Sequence, residues 1–432
     1  MSKVDIDTIK RIHFIGVGGI GMSGLARFFV HEKKVVSGSD RELTALTKKL
    51  SEEGVQVYGH QSVENISDDI ELIVYTEAMD TSHPEMIAAR GLNVPMINYF
   101  EALGLVANPY YLIAVAGTHG KTTTTAMLTD IFENAEKDPT AIIGSLRAST
   151  KSNFRAGKSK YAIVEACEYR RDFLHLKPDV LVITNIEFDH PDYFKDLADV
   201  QKAFSEMIAR VNEGGVVVTD TKSPNIAAIL EDCPVKVIDY VEYIDVHLKL
   251  KQPGVHNRLN AATATAVAKH EKLDIDQTKD SLEAFSGTWR RFEYKGELNG
   301  APVYDDYAHH PTAISLTIAG TRELYPDKRV TIVFEPHTYS RTASHFEEFA
   351  RSFADADNVI LLPIYAARNE DPHGVTSREL AVKALEYNPN VLFIKNYEEV
   401  ALNLHSYVGE GDVVLVLGAG PITNLASMLV AK

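Results

Sequence analysis

Cysteine and tryptophan are nearly absent: Cys167, Cys233 and Trp289 are the only ones among 432 residues. Two cysteines cannot build a disulfide framework or a thiolate metal site, so free thiols in a reducing compartment are expected. Long apolar runs are missing too. Neither the opening MSKVDIDTIK nor any later stretch approaches the roughly 20 residues of a membrane span or a targeting signal, which predicts a cytoplasmic protein without membrane insertion. Positive charge is in deficit, with 44 Lys and Arg against 60 Asp and Glu and a net charge of −16. That balance argues against nucleic acid as a partner, since phosphate backbones require a basic surface. An anionic ligand must instead be met locally, by helix N-termini, Mg²⁺ and a few placed bases.

What is present is ordinary for a globular chain, 45% hydrophobic and 24% charged, and too long for one core. β-branched strand runs alternate with amphipathic helix patterns three times, the pattern of parallel α/β units. We read three α/β domains: a Rossmann-like domain at 1–107, a P-loop-type central domain at 108–293, and a second Rossmann-like domain at 294–432. Strands are expected at 72–76, 161–166, 180–184, 215–220, 329–334, 358–362 and 412–417, and a helix at 257–270. AlaAsnPro at 107–109 reads as a linker. Residues 239–254 suggest no definite structure.

The most informative stretch is LIAVAGTHGKTTTTAML, residues 112–128. An apolar strand breaks into GTHGKT and resumes at helical spacing, as in a loop that binds nucleotide phosphates. Gly117 and Gly120 let backbone N–H groups close on phosphate oxygens, Lys121 can reach the β- and γ-phosphates, and Thr122 can hold Mg²⁺. Thr118, His119 and Thr123 complete the nucleotide-binding loop. Val115 stands where the longer GxxxxGK pattern has its first glycine, so a generic ATPase fits less well than the short form.

Near the N-terminus, Gly16, Gly18, Gly19 and Gly21 follow a strand and open a helix, and Asp40 closes the next strand. This is the arrangement of a pyrophosphate turn with an acid for ribose hydroxyls, although such glycines also serve only to pack a helix on a strand. In the central domain Glu165 ends a strand, followed by Glu168, Arg170 and Arg171, and His190 follows another strand with Glu187 and Asp189 before it. Parallel-strand ends converge on the phosphate loop, so Glu165 and His190 are candidate Mg²⁺ ligands, Glu165 the better one. In the third domain YDDYAHHP, with His309 and His310, and FEPHTYSRT, with His337 and Arg341, suggest an edge that binds carboxylate or phosphate. His310, just before Pro311, could instead cap the next helix.

Taken in order, IGVGGIGMSGLA (15–26), GTHGKT, EACEYRRDFL (165–174), TNIEFDHPDYF (184–194), HNRLNA (256–261), RRFE (290–293), DDYAHHP (305–311) and PHTYSRT (336–342) cover nearly the whole chain. This order resembles the Mur ligases of bacterial peptidoglycan synthesis, and within them the branch that acts on UDP-N-acetylmuramate and L-alanine. The resemblance implies an ATP- and Mg²⁺-dependent amide ligase working through an acyl phosphate. It assigns Gly18, Gly19, Gly21, Met22, Ser23 and Asp40 to the UDP substrate, with Asn185, His309 and His310 also on the substrate side. Asn257, Arg291 and Asp306 would place the nucleotide. Lys121, Glu165 and His190 would serve catalysis, Thr122, Glu165 and His190 would hold Mg²⁺, and His337 and Arg341 would receive L-alanine. Thr338 departs from members that carry arginine there. Some relatives use a carbamylated lysine; the aligned positions here are Phe204 and Ser205, with Lys202 out of register, so none is assigned. A monomer or weak homodimer is expected. A ligase for a preformed murein tripeptide and a nucleotide-driven switch are the alternative readings.

Overall fold

The computed structural model describes residues 4–80, 82–367 and 371–431, arranged as three α/β domains around three sheets. The first sheet is wholly parallel, in the order Gln56–Tyr58, Val35–Ser39, Arg11–Ile15, Leu72–Tyr75, Met96–Asn98. In the second, Lys236–Asp239, Val216–Thr219, Val180–Ile183, Tyr111–Ala116, Tyr161–Glu165 and Thr140–Ile142 run parallel, and Phe154–Arg155 is antiparallel at the edge. The third runs Glu293–Leu298, Ala301–Asp306, Asp412–Leu417, Arg329–Phe334, Asn358–Leu361, Val391–Phe393, with only the first strand antiparallel. Continuous Val, Ile and Leu runs form the central strands because helices cover both faces.

Differences from the sequence reading lie at element ends. The strand expected at 180–184 stops at Ile183; Thr184 N still donates to Ala116 O at 3.0 Å, while its hydroxyl turns to the His119 carbonyl. The alanine-rich helix begins at Val255 behind Gly254, whose φ of +96° no other residue adopts without strain. In 239–254 one 3₁₀ turn forms at Tyr240–Tyr243, started by the Asp239 carboxylate accepting from Val241 N at 3.0 Å. The 107–109 stretch is fastened rather than free: Asn108 donates to His175 O at 2.9 Å and accepts from Lys177 N at 2.8 Å.

The apolar interior divides unevenly. One continuous core runs from Ile12 and Phe14 of the first domain into Leu112, Phe173 and Ile226 of the middle one, whereas the third domain has cores of its own on each face of its sheet. At the first seam Phe28 meets Phe154 edge-on at 6.2 Å. Asn153 bridges beside it, accepting from Arg27 at 2.5 Å and donating to the Ile20 carbonyl and to Ser23 Oγ. Replacing Asn153 with alanine is expected to cost about 2 kcal/mol, because a bond to a buried guanidinium is lost and Arg27 has only Glu53 left. A urea titration followed by circular dichroism would read the shift in midpoint.

Candidate active site

The phosphate loop sits where the buried strand Tyr111–Ala116 gives way to the helix Lys121–Asn134. Gly117 and Gly120 have φ of +129° and +82°. A Cβ on them would lie 2.0 Å from Thr184 Oγ1 and 2.3 Å from Asn260 Oδ1, so bare backbone is required on both counts. Asn185 braces the loop with both ends of its amide, accepting from His119 N at 2.9 Å and donating to His119 O at 3.0 Å. Its polar atoms are thus committed to the loop.

Lys121 donates to the Gly117 and Thr118 carbonyls and forms a buried ion pair with Glu168 at 2.8 Å. Burial lowers the ammonium's pKa, but Glu168 with Cys167 and Glu165 beside it outweigh this together, and the net shift is upward. Burial raises the Glu168 carboxyl, and Lys121, then His190, bring it below the ordinary range. His190 Nε2 lies 3.6 Å from Glu168 Oε1, which is buried with no hydrogen-bond partner. Glu165 lines the same cavity and accepts from Gly144 N at 3.0 Å. Lys121, Glu165 and His190 therefore gather at one rim, with Thr122 on the helix beside them and Glu168 behind, touching Lys121 and His190. Glu168, which the sequence reading gave no role, is the carboxylate that meets Lys121. Arg170 and Arg171 turn away: Arg170 pairs with Glu77 of the first domain, and Arg171 with Asp199 and Glu206. All three of Arg170, Arg171 and His190 hold left-handed backbone, φ 53°, 63° and 56°, a conformation that is rare outside glycine and concentrates at functional sites.

The third domain clasps the segment 187–189. Arg341 donates to Asp189 Oδ1 at 2.8 Å with both side chains buried, and Thr312 Oγ1 donates to Glu187 Oε2 at 2.7 Å. Burial raises Asp189's carboxyl, yet Arg341 together with the neighbouring His190, His310 and His309 outweighs this and holds it well below the carboxylate range. His310 does cap its helix, accepting from Thr312 N at 3.4 Å through Nδ1, and its Nε2 faces the Phe188 carbonyl at 3.3 Å. Burial, then neighbouring His119, pushes the His310 imidazole down to about 3. His309 is likewise held well below the usual value, by burial and then Arg341. Its ring lies 6.0 Å from that of His337, which in turn is 3.3 Å from Arg341 through Nδ1.

Between these two walls lies a cavity of about 440 Å³, lined by the phosphate loop on one side and by Arg291, Asp306 and His309 on the other. Asn257 lines it too and donates to Pro253 O at 2.8 Å. Asp306 accepts from the N–H groups of Phe292 and Ala308, and Arg291 lies over the Tyr307 ring at 4.9 Å. The first domain's glycine turn is outside this cavity. There Gly18 N donates to Asp40 Oδ2 at 2.8 Å, Gly19 caps the helix Ile20–His31, and Gly21 packs against Tyr99. Met22 and Ser23 are buried, Ser23 bonding to Ile20 O.

Three family models cover most of the chain: "Mur ligase family, catalytic domain" at 11–111, "Mur ligase middle domain" at 115–243 and "Mur ligase, glutamate ligase domain" at 290–420. A UDP-N-acetylmuramate–L-alanine ligase from Agathobacter rectalis is 38% identical over 460 residues, covering all of both chains. The chain belongs to the Mur ligase family. Another such Mur ligase, from Acetivibrio thermocellus, is 37% identical over 99% of this chain and 97% of its own. Among solved structures, the UDP-N-acetylmuramate–alanine ligase of Thermotoga maritima superimposes with a TM-score of 0.82 at 26% identity, covering 98% of each chain. A murein peptide ligase from Psychrobacter arcticus shares the Mur ligase fold at a TM-score of 0.73 and 23% identity, over 97% of this chain and 98% of that one. Among the described residues of this Mur ligase, no helix is long and apolar enough to cross a membrane.

Proposed function

We propose that the chain joins L-alanine to the carboxylate of UDP-N-acetylmuramate at the expense of ATP, as a step of peptidoglycan precursor synthesis in the cytoplasm, acting as a monomer or weak homodimer. The carrying observation is that one cavity has the phosphate loop on its middle-domain wall and the third-domain residues Asp306 and His309 opposite, with Arg291 at the join of the two domains. A carboxylate acceptor and a nucleotide can meet there only if both partners' negative charge is offset. We assign the UDP part to the glycine turn of the first domain and L-alanine to the neighbourhood of His337 and Arg341, with domain bounds at 107 and 293.

Residues at the loop rim suit a divalent cation, because the unpartnered, buried Glu168 Oε1 beside His190 is acceptor capacity that only a cation or donor satisfies. Thr122, Glu165 and His190 would hold Mg²⁺, whose chemistry is to neutralise phosphate charge. The substrate carboxylate attacks the γ-phosphorus, the bond to the β-phosphate oxygen breaks, and ADP and an acyl phosphate result. Lys121 and the loop N–H groups stabilise charge on the phosphoryl oxygens during this transfer. The alanine amine then attacks the acyl carbonyl and phosphate leaves. Positioning dominates both steps, so the clasp on 187–189 serves catalysis by holding the two walls together.

ADP release should require UDP-N-acetylmuramate, L-alanine and Mg²⁺ together, in a coupled assay with product mass measurement. Absence of any stimulation by UDP-N-acetylmuramate, whatever the amino acid, would sink the reading. Faster turnover with the murein tripeptide than with L-alanine would transfer it to the recycling reaction.

A further inference from the structure

Across the seam between phosphate loop and third domain, His119, Glu187 and His310 place one donor atom each within 4.8 Å of one another, the only such trio of metal-ligating side chains among the described residues. Glu187 Oε2 is the common centre. It lies 3.5 Å from His119 Nε2 and 3.8 Å from His310 Nδ1, close to the roughly 3.3 Å edge of a tetrahedron with zinc–nitrogen and zinc–oxygen arms of about 2.05 Å. The imidazole rings are 4.7 Å apart.

Two details point to a ligand rather than to simple packing. His119 Nε2 is buried without a hydrogen-bond partner, so its capacity is unspent. His310 Nε2 faces the Phe188 carbonyl at 3.3 Å, which fixes the proton there and leaves the lone pair on Nδ1, directed at the Glu187 side. A backbone carbonyl orienting the distal nitrogen is the usual support for a ligating histidine, and the Thr312 hydroxyl on Glu187 Oε2 is the matching support for a ligating carboxylate. The long 3.4 Å contact from Thr312 N to His310 Nδ1 is the bond that a metal would replace.

We propose that His119, Glu187 and His310 form a transition-metal site of the zinc class that bridges the phosphate loop and the third domain. Two imidazoles and one carboxylate suit Zn²⁺ or Co²⁺ and not Mg²⁺, which prefers oxygen, so the site is chemically distinct from the Glu165 and His190 rim. Two of its ligands belong to the middle domain and one to the third. A bound ion therefore ties the two walls together through a further link and fixes the His119 side chain within the phosphate loop. This inference does not depend on which substrate the enzyme takes.

Titration of the full chain with Co²⁺ in saturating Mg²⁺ should give visible d–d absorption that saturates at one equivalent and is bleached by Zn²⁺. Glu187→Gln and His310→Ala should each weaken Co²⁺ binding by at least about 10- to 100-fold, since loss of a ligand exceeds loss of an outer-shell partner. His190→Ala should leave the band in place. No saturable band, or a band removed by His190→Ala and kept by His310→Ala, overturns the proposal. A zinc-edge anomalous map from crystals of the unaltered chain grown with one equivalent of Zn²⁺ decides the matter even if a variant misfolds. A peak among the three side chains supports the site, and a peak elsewhere or none rejects it.

Discussion

Replacing Lys121 with alanine is expected to lower ADP release by about 10³-fold, the loss seen when a preorganised donor to a transferring group is removed. The same substitution strands Glu168, whose side chain is 3% exposed. Removing one partner of a buried pair costs about 3–5 kcal/mol, and the nearby His190 brings the expectation to the lower end. The two losses separate in the double variant Lys121→Ala, Glu168→Gln, which should regain most of the stability and none of the turnover. pH adds a second discriminator. In the intact protein the Glu168 carboxyl is depressed, so its contribution is present above the unfolded value of about 4.3 and is lost only as pH falls through the lower folded value. Without Lys121 that carboxylate is buried and uncompensated, which raises its pKa, so the stability deficit should shrink as pH falls toward 4 and the group takes up a proton. A urea midpoint that is equally low at pH 7 and pH 4 would contradict this account.

Arg341→Ala should be the second most damaging change, for a different reason. Arg341 is the buried partner of Asp189 across the two walls of the cavity, so its removal leaves a carboxylate in the seam and costs about 3–5 kcal/mol of docking. Turnover should fall by about 10²-fold through misplacement of the third domain, even before any direct contact with the amino acid is counted. Arg341→Lys should recover little, because a point charge does not reproduce the fork that reaches both Asp189 and His337. Small-angle scattering should show an expanded particle for Arg341→Ala at neutral pH. Asp189 is held well below its ordinary value. The pair's contribution is therefore complete above the unfolded value of about 3.9 and disappears only in stronger acid. The unaltered chain should keep its compact form at pH 5. Expansion already at that pH, or a compact Arg341→Ala variant, would refute the clasp.

Strand ends were legible in the sequence because parallel sheets place them together: Lys121, Glu165, Glu187, Asp189 and His190 all line one cavity. Pairings were not legible. Glu168 reaches Lys121 only because the chain turns sharply at Arg170 and Arg171, whose left-handed backbone no residue pattern announces. The Thr312–Glu187 and Arg341–Asp189 contacts come from docking of separately built domains, where the partners lie 125 and 152 residues apart. Several polar residues that the motifs offered to ligands are also engaged internally: Asp40 with Gly18 N, Asn185 with the His119 backbone, and Ser23 with Ile20 O and Asn153. A motif names the residue, and only the fold shows where its hydrogen bonds go. The helix-capping alternative for His310 was readable from the proline that follows it; the role of its second nitrogen was not.

The unequal division of the apolar core bears on how the protein is made. Residues 11–107 leave the ribosome with a face whose cover, Phe154 and the turn reaching Leu176, has not yet been synthesised. At about 5–20 residues per second that face stays wet for about 3–14 s, a long interval beside the microseconds of collapse. The last domain carries no such debt to its neighbours, since its two cores close on its own strands. Newly made copies are thus most exposed to aggregation and to chaperones early in translation, and the last domain to be made is the one that can finish folding by itself.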